Sequence, residues 1–188
     1  PTLRRQRQMC IRDSTNTPCF RPRYLLYNLL CRLDIVETLV GCGRLVTNDS
    51  DQILSFVNPN LALIDSRSVC GIEHLKQAAT LSLSSHSGGY NLSKDKSTEV
   101  LLYLTFQRQI SRALKLAGIK DDTKSIAWVS FGELPTNLSD IVKKDSSVLS
   151  ISKYNFLELA SDISPNLEDS VKQKIVMTRT ATLPVQPR

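Results

Sequence analysis

The sequence predicts a single domain of the α/β (α+β) class, in which a small, mostly mixed β-sheet packs with about six helices and a central helix pair occupies residues 97–118. Three observations lead there. A chain of 188 residues amounts to about one domain and can bury roughly two thirds of its unfolded surface. Two short apolar runs bounded by polar and turn residues, Leu61-Ala62-Leu63-Ile64 and Ser125–Phe131, have the length of strands. Between them apolar residues recur at spacings of three and four, the period of helices with one face on a core.

Taken in order, Ile35 to Val40 is β-branched and apolar enough for a strand, with Gly41-Cys42-Gly43 read as the turn that ends it. Asn48 or Asp49 can cap a short helix through about Phe56, with Ile53, Leu54 and Val57 on its apolar side. Asn58-Pro59-Asn60 is a turn, and Leu61–Ile64 is a buried strand ending at Asp65, which completes a strand, helix, strand unit. From Gly71 to Ser84, Ile72, Leu75, Ala79 and Leu83 form one stripe, with His74 and Lys76 off it. Residues 84–96, rich in Ser, Gly, Asn and charge, predict a mobile loop. Ser97 or Thr98 can cap the next helix, whose Val100, Leu101 and Leu104 face inward. Thr105 can cap another, with Ile110, Ala113, Leu114 and Ala117 buried and Gly118 left-handed at its end. Ser125–Phe131 is apolar on both faces, which predicts a sheet covered on both sides. A helix over Thr136–Lys144, a strand near Val148–Ile151, a helix over Tyr154–Ala160 and a last helix after Pro165, with Val171, Ile175 and Met177 as its stripe, follow. Pro184 and Pro187 mark a frayed tail.

Composition narrows the function classes. Hydrophobic residues make up 41% and charged residues 22%, the balance of a globular chain without low-complexity character. Five cysteines, Cys10, Cys19, Cys31, Cys42 and Cys70, are odd in number and lack a Cys-x-x-Cys pair, which argues against a disulfide framework or a zinc knuckle and for a reducing, intracellular setting. The net charge of +6 is concentrated at one end: residues 1–34 hold seven Lys or Arg against two acids, leaving seventeen against sixteen elsewhere. The segment Arg7-Gln8-Met9-Cys10-Ile11-Arg12-Asp13-Ser14 has the look of translated sequencing adapter. Residues 1–34 are therefore read as a basic extension, either of non-native character or a disordered basic leader, residues 35–180 as the domain and 181–188 as a disordered tail. Arg32, Asp34 and Glu37 interrupt the apolar run from Tyr24 to Val40, so it reads as neither a membrane span nor a signal peptide.

No catalytic constellation emerges from the residues. Cys70 and His74 lie four apart, a spacing open to a nucleophile and base, but a buried thiol beside a partly exposed histidine is the simpler reading. His86 falls in the expected loop, Gly88-Gly89 is too short to cradle a phosphate, and Asp121-Asp122 reads as a solvated turn rather than a cation site. With two histidines and no clustered Cys, Asp or Glu, neither a metal nor a cofactor is expected. One basic stripe stands out: Arg108, Arg112 and Lys115 recur at helical spacing, opposite Ile110, Ala113 and Leu114. Such a stripe can be a solvated face or can neutralise nucleic-acid phosphates.

The helix pair resembles a family signature. Thr98-Glu99-Val100-Leu101 leads to a polar turn, then Gln109-Ile110-Ser111-Arg112-Ala113-Leu114 and Gly118-Ile119-Lys120-Asp121-Asp122. This order is similar to that of the small regulatory subunit of the KEOPS (EKC) complex, the TPRKB-like family. Leu61-Ala62-Leu63-Ile64-Asp65 followed by Glu73-His74-Leu75 and Ala78-Ala79 is similar to the family's strand and first long helix. Phe106 departs from it, standing where the family usually has Gly or Pro. Arg108-Gln109 resembles the archaeal form of the motif and Gly118–Asp122 the eukaryotic form.

The resemblance implies a non-enzyme without cofactor. It would bind and stimulate the atypical kinase/ATPase subunit of KEOPS, meet the other subunits through it, and help bind the acceptor end of tRNA for threonylcarbamoyladenosine formation next to the anticodon. It implies a nuclear and cytoplasmic location for a eukaryotic chain and a cytoplasmic one for an archaeal chain, with no membrane partner. Arg108, Gln109, Arg112 and Lys115 become the expected RNA contacts. Ile110, Leu114 and Val171 become the expected kinase interface, although a place in the core is open for each of the three. A free-standing RNA-binding module using the basic face of helix 107–117 is the alternative.

Overall fold

The computed structural model describes residues 38–47 and 49–185. Four strands, β1 (Thr38–Leu45), β2 (Leu61–Asp65), β3 (Ser125–Phe131) and β4 (Val142–Lys144), form one sheet in the order β2-β3-β1-β4. Every neighbouring pair is antiparallel, so the sheet is not mixed as expected. Seven α-helices accompany it among the described residues: α1 (Ser50–Leu54), α2 (Ile72–Gly88), α3 (Lys96–Thr105), α4 (Ile110–Ala117), α5 (Leu138–Ile141), α6 (Phe156–Leu159) and α7 (Asp169–Thr182). The single α+β domain stands.

Strand β3 explains the two-layer build. Ala127, Val129 and Phe131 point to a core shared with α2, α3 and α4, while Ile126 and Trp128 point to a second core with Ile53, Leu138, Ile141 and Val142. Both faces are covered, as the apolar pattern predicts. Strand β1 corrects the sequence reading. Its expected start at residues 35–37 lies outside the described residues, and it runs straight through Gly41-Cys42-Gly43 instead of turning there. The two glycines are there for close approach: a Cβ at Gly41 would overlap the Trp128 ring opposite, and one at Gly43 would overlap the Lys143 carbonyl and Val142 on β4. A glycine inside a strand often marks such an approach.

Other boundaries shift for local reasons. Asp49 caps α1, its carboxylate accepting from the Asp51 and Gln52 amides, and of the expected apolar side only Ile53 is buried. Helix α2 runs on to Gly88, so His86 lies in its last turn, and Gly89 ends it in the left-handed conformation. The expected mobile loop is thus shortened, and what remains of it is tied down. The buried Glu99 carboxylate accepts from the amides of Leu92 and Ser93 and from the Ser85 hydroxyl. Helix α3 begins after Asp95, without a side-chain cap from Ser97 or Thr98. The expected helix over 136–144 is cut to α5 because Val142–Lys144 pairs with β1 as β4. The expected strand at 148–151 is replaced by 3₁₀ turns at Ser146–Val148 and Ile151–Lys153. At the other end the expected frayed tail is drawn in: α7 passes into a 3₁₀ turn, Leu183–Val185, with Leu183 wholly buried, and residues 186–188 lie outside the described residues.

The Gly41–Trp128 contact gives a direct test of the register. Gly41→Ala is expected to lower stability by about 1–3 kcal/mol, the usual cost of overpacking, read from denaturant unfolding. Trp128→Leu in the same chain should recover part of that loss. An Ala at 41 that costs nothing would contradict the register.

Candidate functional site

Helix α4 sits on the domain through two small residues. Ala113 and Ala117 are fully buried, while Ile110 is 39% and Leu114 48% exposed. The sequence reading had placed all four inside. Ile110 and Leu114 are one turn apart, and so are Ala113 and Ala117; by helical periodicity the first pair lies on the flank of the second. The two alanines alone meet the core, and the larger apolar pair is left at the surface. Around the other side, Arg112 and Lys115 are exposed, Gln109 is exposed at the N-cap without a side-chain capping bond, and Arg108 is half-buried. The expected RNA contacts are therefore brought onto one helix and its leading turn. Val171 is 37% exposed and stands on α7, four residues before Ile175.

Three attachments fix α4. Its leading turn is held by Phe106, whose backbone is left-handed (φ 55°, ψ 28°), the only non-glycine residue with positive φ among the described residues. The Gln107 amide donates to the Leu102 carbonyl and the Phe106 amide to that of Tyr103, closing α3 in the manner of a Schellman cap. Glycine adopts this conformation most readily, and proline, with its φ locked at about −65°, does not adopt it. The Phe106 ring packs in a third cluster with Cys70, Tyr154, Val176 and Ile175, and its centroid is 6.1 Å from that of His74. At the other end the Ser68 hydroxyl donates to the Leu116 carbonyl at 3.0 Å. Gly118 follows in an extended conformation (φ −68°, ψ 162°), not the left-handed one expected.

The Gly118–Asp122 motif is explained by one guanidinium. Arg67 donates to the buried Asp65 carboxylate and, at 2.8 and 3.1 Å, to both oxygens of Asp122. Asp122 is thereby held below the usual carboxylate range, first through the Arg67 hydrogen bonds. Thr123 donates to Asp65 and accepts from the Lys120 amide. Asp121-Asp122 is thus not merely a solvated turn: half of the pair anchors the loop that follows α4.

Cys70 and His74 do not form a nucleophile and base. His74 is fully buried, against the expectation of partial exposure. Its Nδ1 accepts from the Cys70 backbone amide at 3.1 Å, so its Nε2 carries the proton and donates to Thr180 Oγ1 at 2.9 Å. The ring is spent on joining α2 to α7. Burial pushes the Cys70 thiol up to about 11 and the His74 imidazole down to about 3, so near neutral pH the thiol keeps its proton and the ring stays neutral. No group of three or more potential metal ligands occurs among the described residues.

A family model described as kinase binding protein CGI-121 matches residues 44–177, from within β1 to within α7. The chain belongs to the CGI-121 kinase-binding protein family. This is the family of the small KEOPS subunit that the helix-pair motif resembles, and its description is that of a kinase-binding protein. No curated protein matches the chain. In the CGI-121 fold the motif divides by purpose: Glu99 and Asp122 are structural, whereas Ile110, Arg112, Leu114 and Lys115 face outward. Among the described residues, no helix is long and apolar enough to cross a membrane. Sequence reasoning missed Phe106 as an anchor and Glu99 as a loop clamp. A carboxylate amid Val100–Leu104 was the available signal for the second.

Two outcomes follow. Between pH 6.5 and 3 the unfolded chain holds a proton on His74 that the folded chain does not, so stability falls as pH falls through that window. Going from pH 7 to 5 should cost about 2 kcal/mol at about 1.4 kcal/mol per pH unit, and in His74→Gln this slope should be lost, as read from urea midpoints. An unchanged slope would place the titration elsewhere. For Phe106→Gly, relief of left-handed backbone gains about 1 kcal/mol, but loss of the ring costs about 1.5–3 kcal/mol. The variant should be the less stable by about 0.5–2 kcal/mol in the same assay.

Proposed function

We propose that this chain is the kinase-binding regulatory subunit of a KEOPS-type assembly, docking its atypical kinase/ATPase partner through Ile110 and Leu114 of α4 together with Val171 of α7, and meeting the other subunits through that partner. In this reading Arg108, Gln109, Arg112 and Lys115 help hold the acceptor end of tRNA for threonylcarbamoyladenosine formation next to the anticodon, and docking raises the partner's ATP turnover. The unit that docks is the domain that begins near residue 35 and, beyond the expected end at 180, takes in the end of α7 and the buried Leu183, with residues 1–34 as a dispensable extension.

One observation carries the proposal: an apolar pair at the surface of a helix that is rigidly seated on two alanines. Interface centres are apolar, and a few large side chains fixed in place supply most of the binding energy, with a polar rim around them. The basic residues adjoining the pair fit such a rim and fit phosphate contacts, whose contribution is electrostatic and falls with salt.

The test uses surface variants that spare the fold. Leu114→Glu and Ile110→Asp should leave the melting temperature within a few degrees of wild type yet weaken the kinase complex by about 100-fold or more, two desolvated anchors being worth at least 1.4 kcal/mol each, with loss of the stimulated ATP turnover. Arg112→Glu with Lys115→Glu should leave the kinase complex in place, weaken tRNA binding, and flatten its log–log salt dependence by about 0.7–0.9 per lost contact. A kinase complex indifferent to Leu114→Glu would refute the assigned interface. Tight tRNA binding by a chain that binds no kinase would make the free-standing RNA module the correct account.

A further inference from the structure

The face of the sheet turned away from α2, α3 and α4 carries a groove of about 390 Å³, open to solvent. Trp128, Leu134, Pro135, Leu138 and Val142 make its apolar wall, and Lys144 is the one charged residue lining it. The groove depends on the bare backbone of β1: Gly41 leaves the Trp128 ring room to lie flat, and Gly43 leaves β4 close to β1.

Beside the groove runs an open strand edge. Strand β4 is outermost in the sheet and has three residues. The Val46 amide donates to the Ile141 carbonyl and the Asp145 amide to the Cys42 carbonyl, so residues 141, 143 and 145 turn their peptide groups toward β1. Val142 and Lys144 therefore turn theirs outward, and only the Val142 amide is used, by the Leu138 carbonyl. Among the described residues, the Lys144 amide and carbonyl and the Val142 carbonyl meet no backbone partner and face the sheet edge. Their side chains are the two that line the groove, so edge and groove share one register.

On β4 itself the charge is positive, with the exposed Asp140 two residues before the strand. Arg44 lies directly opposite Lys143, and Asp145 is bound to Arg44 at 2.8 Å. Neither Lys143 nor Lys144 has an ion-pair partner among the described residues, and both are exposed. Lysines on a short edge repel a basic strand and disfavour an uncharged one, which would desolvate them without compensation. They select an acidic one.

We propose that the β4 edge and its groove are a docking site for an extended acidic segment of a partner protein, which adds as a strand along Val142–Lys144, seats a bulky aliphatic or aromatic side chain in the groove, and places an Asp or Glu against Lys144. Strand addition supplies main-chain hydrogen bonds, and the groove supplies selectivity for alternate side chains. A nucleic acid fits the site poorly. The groove's one lining cation makes a weak phosphate track. This site lies on another face of the sheet from α4 and does not rest on the kinase-docking reading.

Random peptides displayed against the full chain, followed by fluorescence-polarisation titration of the enriched peptides, test this. Enriched peptides should carry a bulky apolar residue within two positions of Asp or Glu. Their affinity should fall about tenfold or more in Lys144→Glu, a loss typical of one charge pair, and at least as much in Ser139→Trp, which adds bulk at an exposed groove residue without emptying the core. Leu114→Glu on α4 should leave it unchanged. The amide of Lys144 and the indole N–H of Trp128 should shift in nuclear magnetic resonance spectra on binding. Failure to enrich any peptide, enrichment of basic or uncharged ones, or equal affinity for Lys144→Glu would overturn the proposal.

Discussion

Helix α3 cannot face water on any side. Eight of its ten residues, from Ser97 to Thr105, are buried, and a helix apolar all round has to be enclosed by other elements. The sheet supplies one wall through Ala127, Val129 and Phe131, α2 another through Leu75, Ala78 and Ala79, and α4 a third through Ala113 and Ala117. The one carboxylate in α3 meets the same demand. Glu99 is tolerated because three donors from the α2 end and the following loop converge on it, since a buried charge without such partners is costly. Enclosing α3 therefore also fixes the loop at 90–95 and the end of α2.

The same enclosure explains why α4 is available for binding. Covering α3 at this place takes only two methyl-sized side chains, so α4 approaches closely and its larger residues project past the contact. Its position is over-determined: Phe106 anchors the start against His74 and the α7 cluster, Ser68 holds the end, and the Arg67–Asp122 pair secures the chain beyond. A helix fixed at both ends presents Ile110 and Leu114 without further loss of freedom on binding, which is the advantage of preorganisation. The CGI-121 family is described as kinase-binding; that this surface is where the kinase binds is our proposal.

Much of this was legible in the sequence, and the failures have physical causes. Strand β3 and its two covered faces followed from apolar residues on both sides of a period of two. The burial of Val100, Leu101 and Leu104 followed from helical spacing. Ile110 and Leu114 were misplaced because periodicity marks a side of a helix as apolar without telling a core from a surface awaiting a partner; both demand the same residues at the same spacing. Gly41 and Gly43 were read as a turn because a glycine needed for close approach to Trp128 looks, in one dimension, like a glycine needed for backbone freedom. His74 fell off the α2 stripe and was taken for a surface residue, since its partners, the Cys70 amide and Thr180, are four and 106 residues away. Long-range partners of that kind leave no local trace.

The account stands on α4 being the element that meets the kinase. Amide hydrogen exchange of the full chain, alone and saturated with the KEOPS kinase subunit, measures this most directly. Slowed exchange concentrated over residues 109–117 and the first turns of α7 in the complex is the predicted result. Protection that rises elsewhere while residues 109–117 exchange as in the free chain would contradict it.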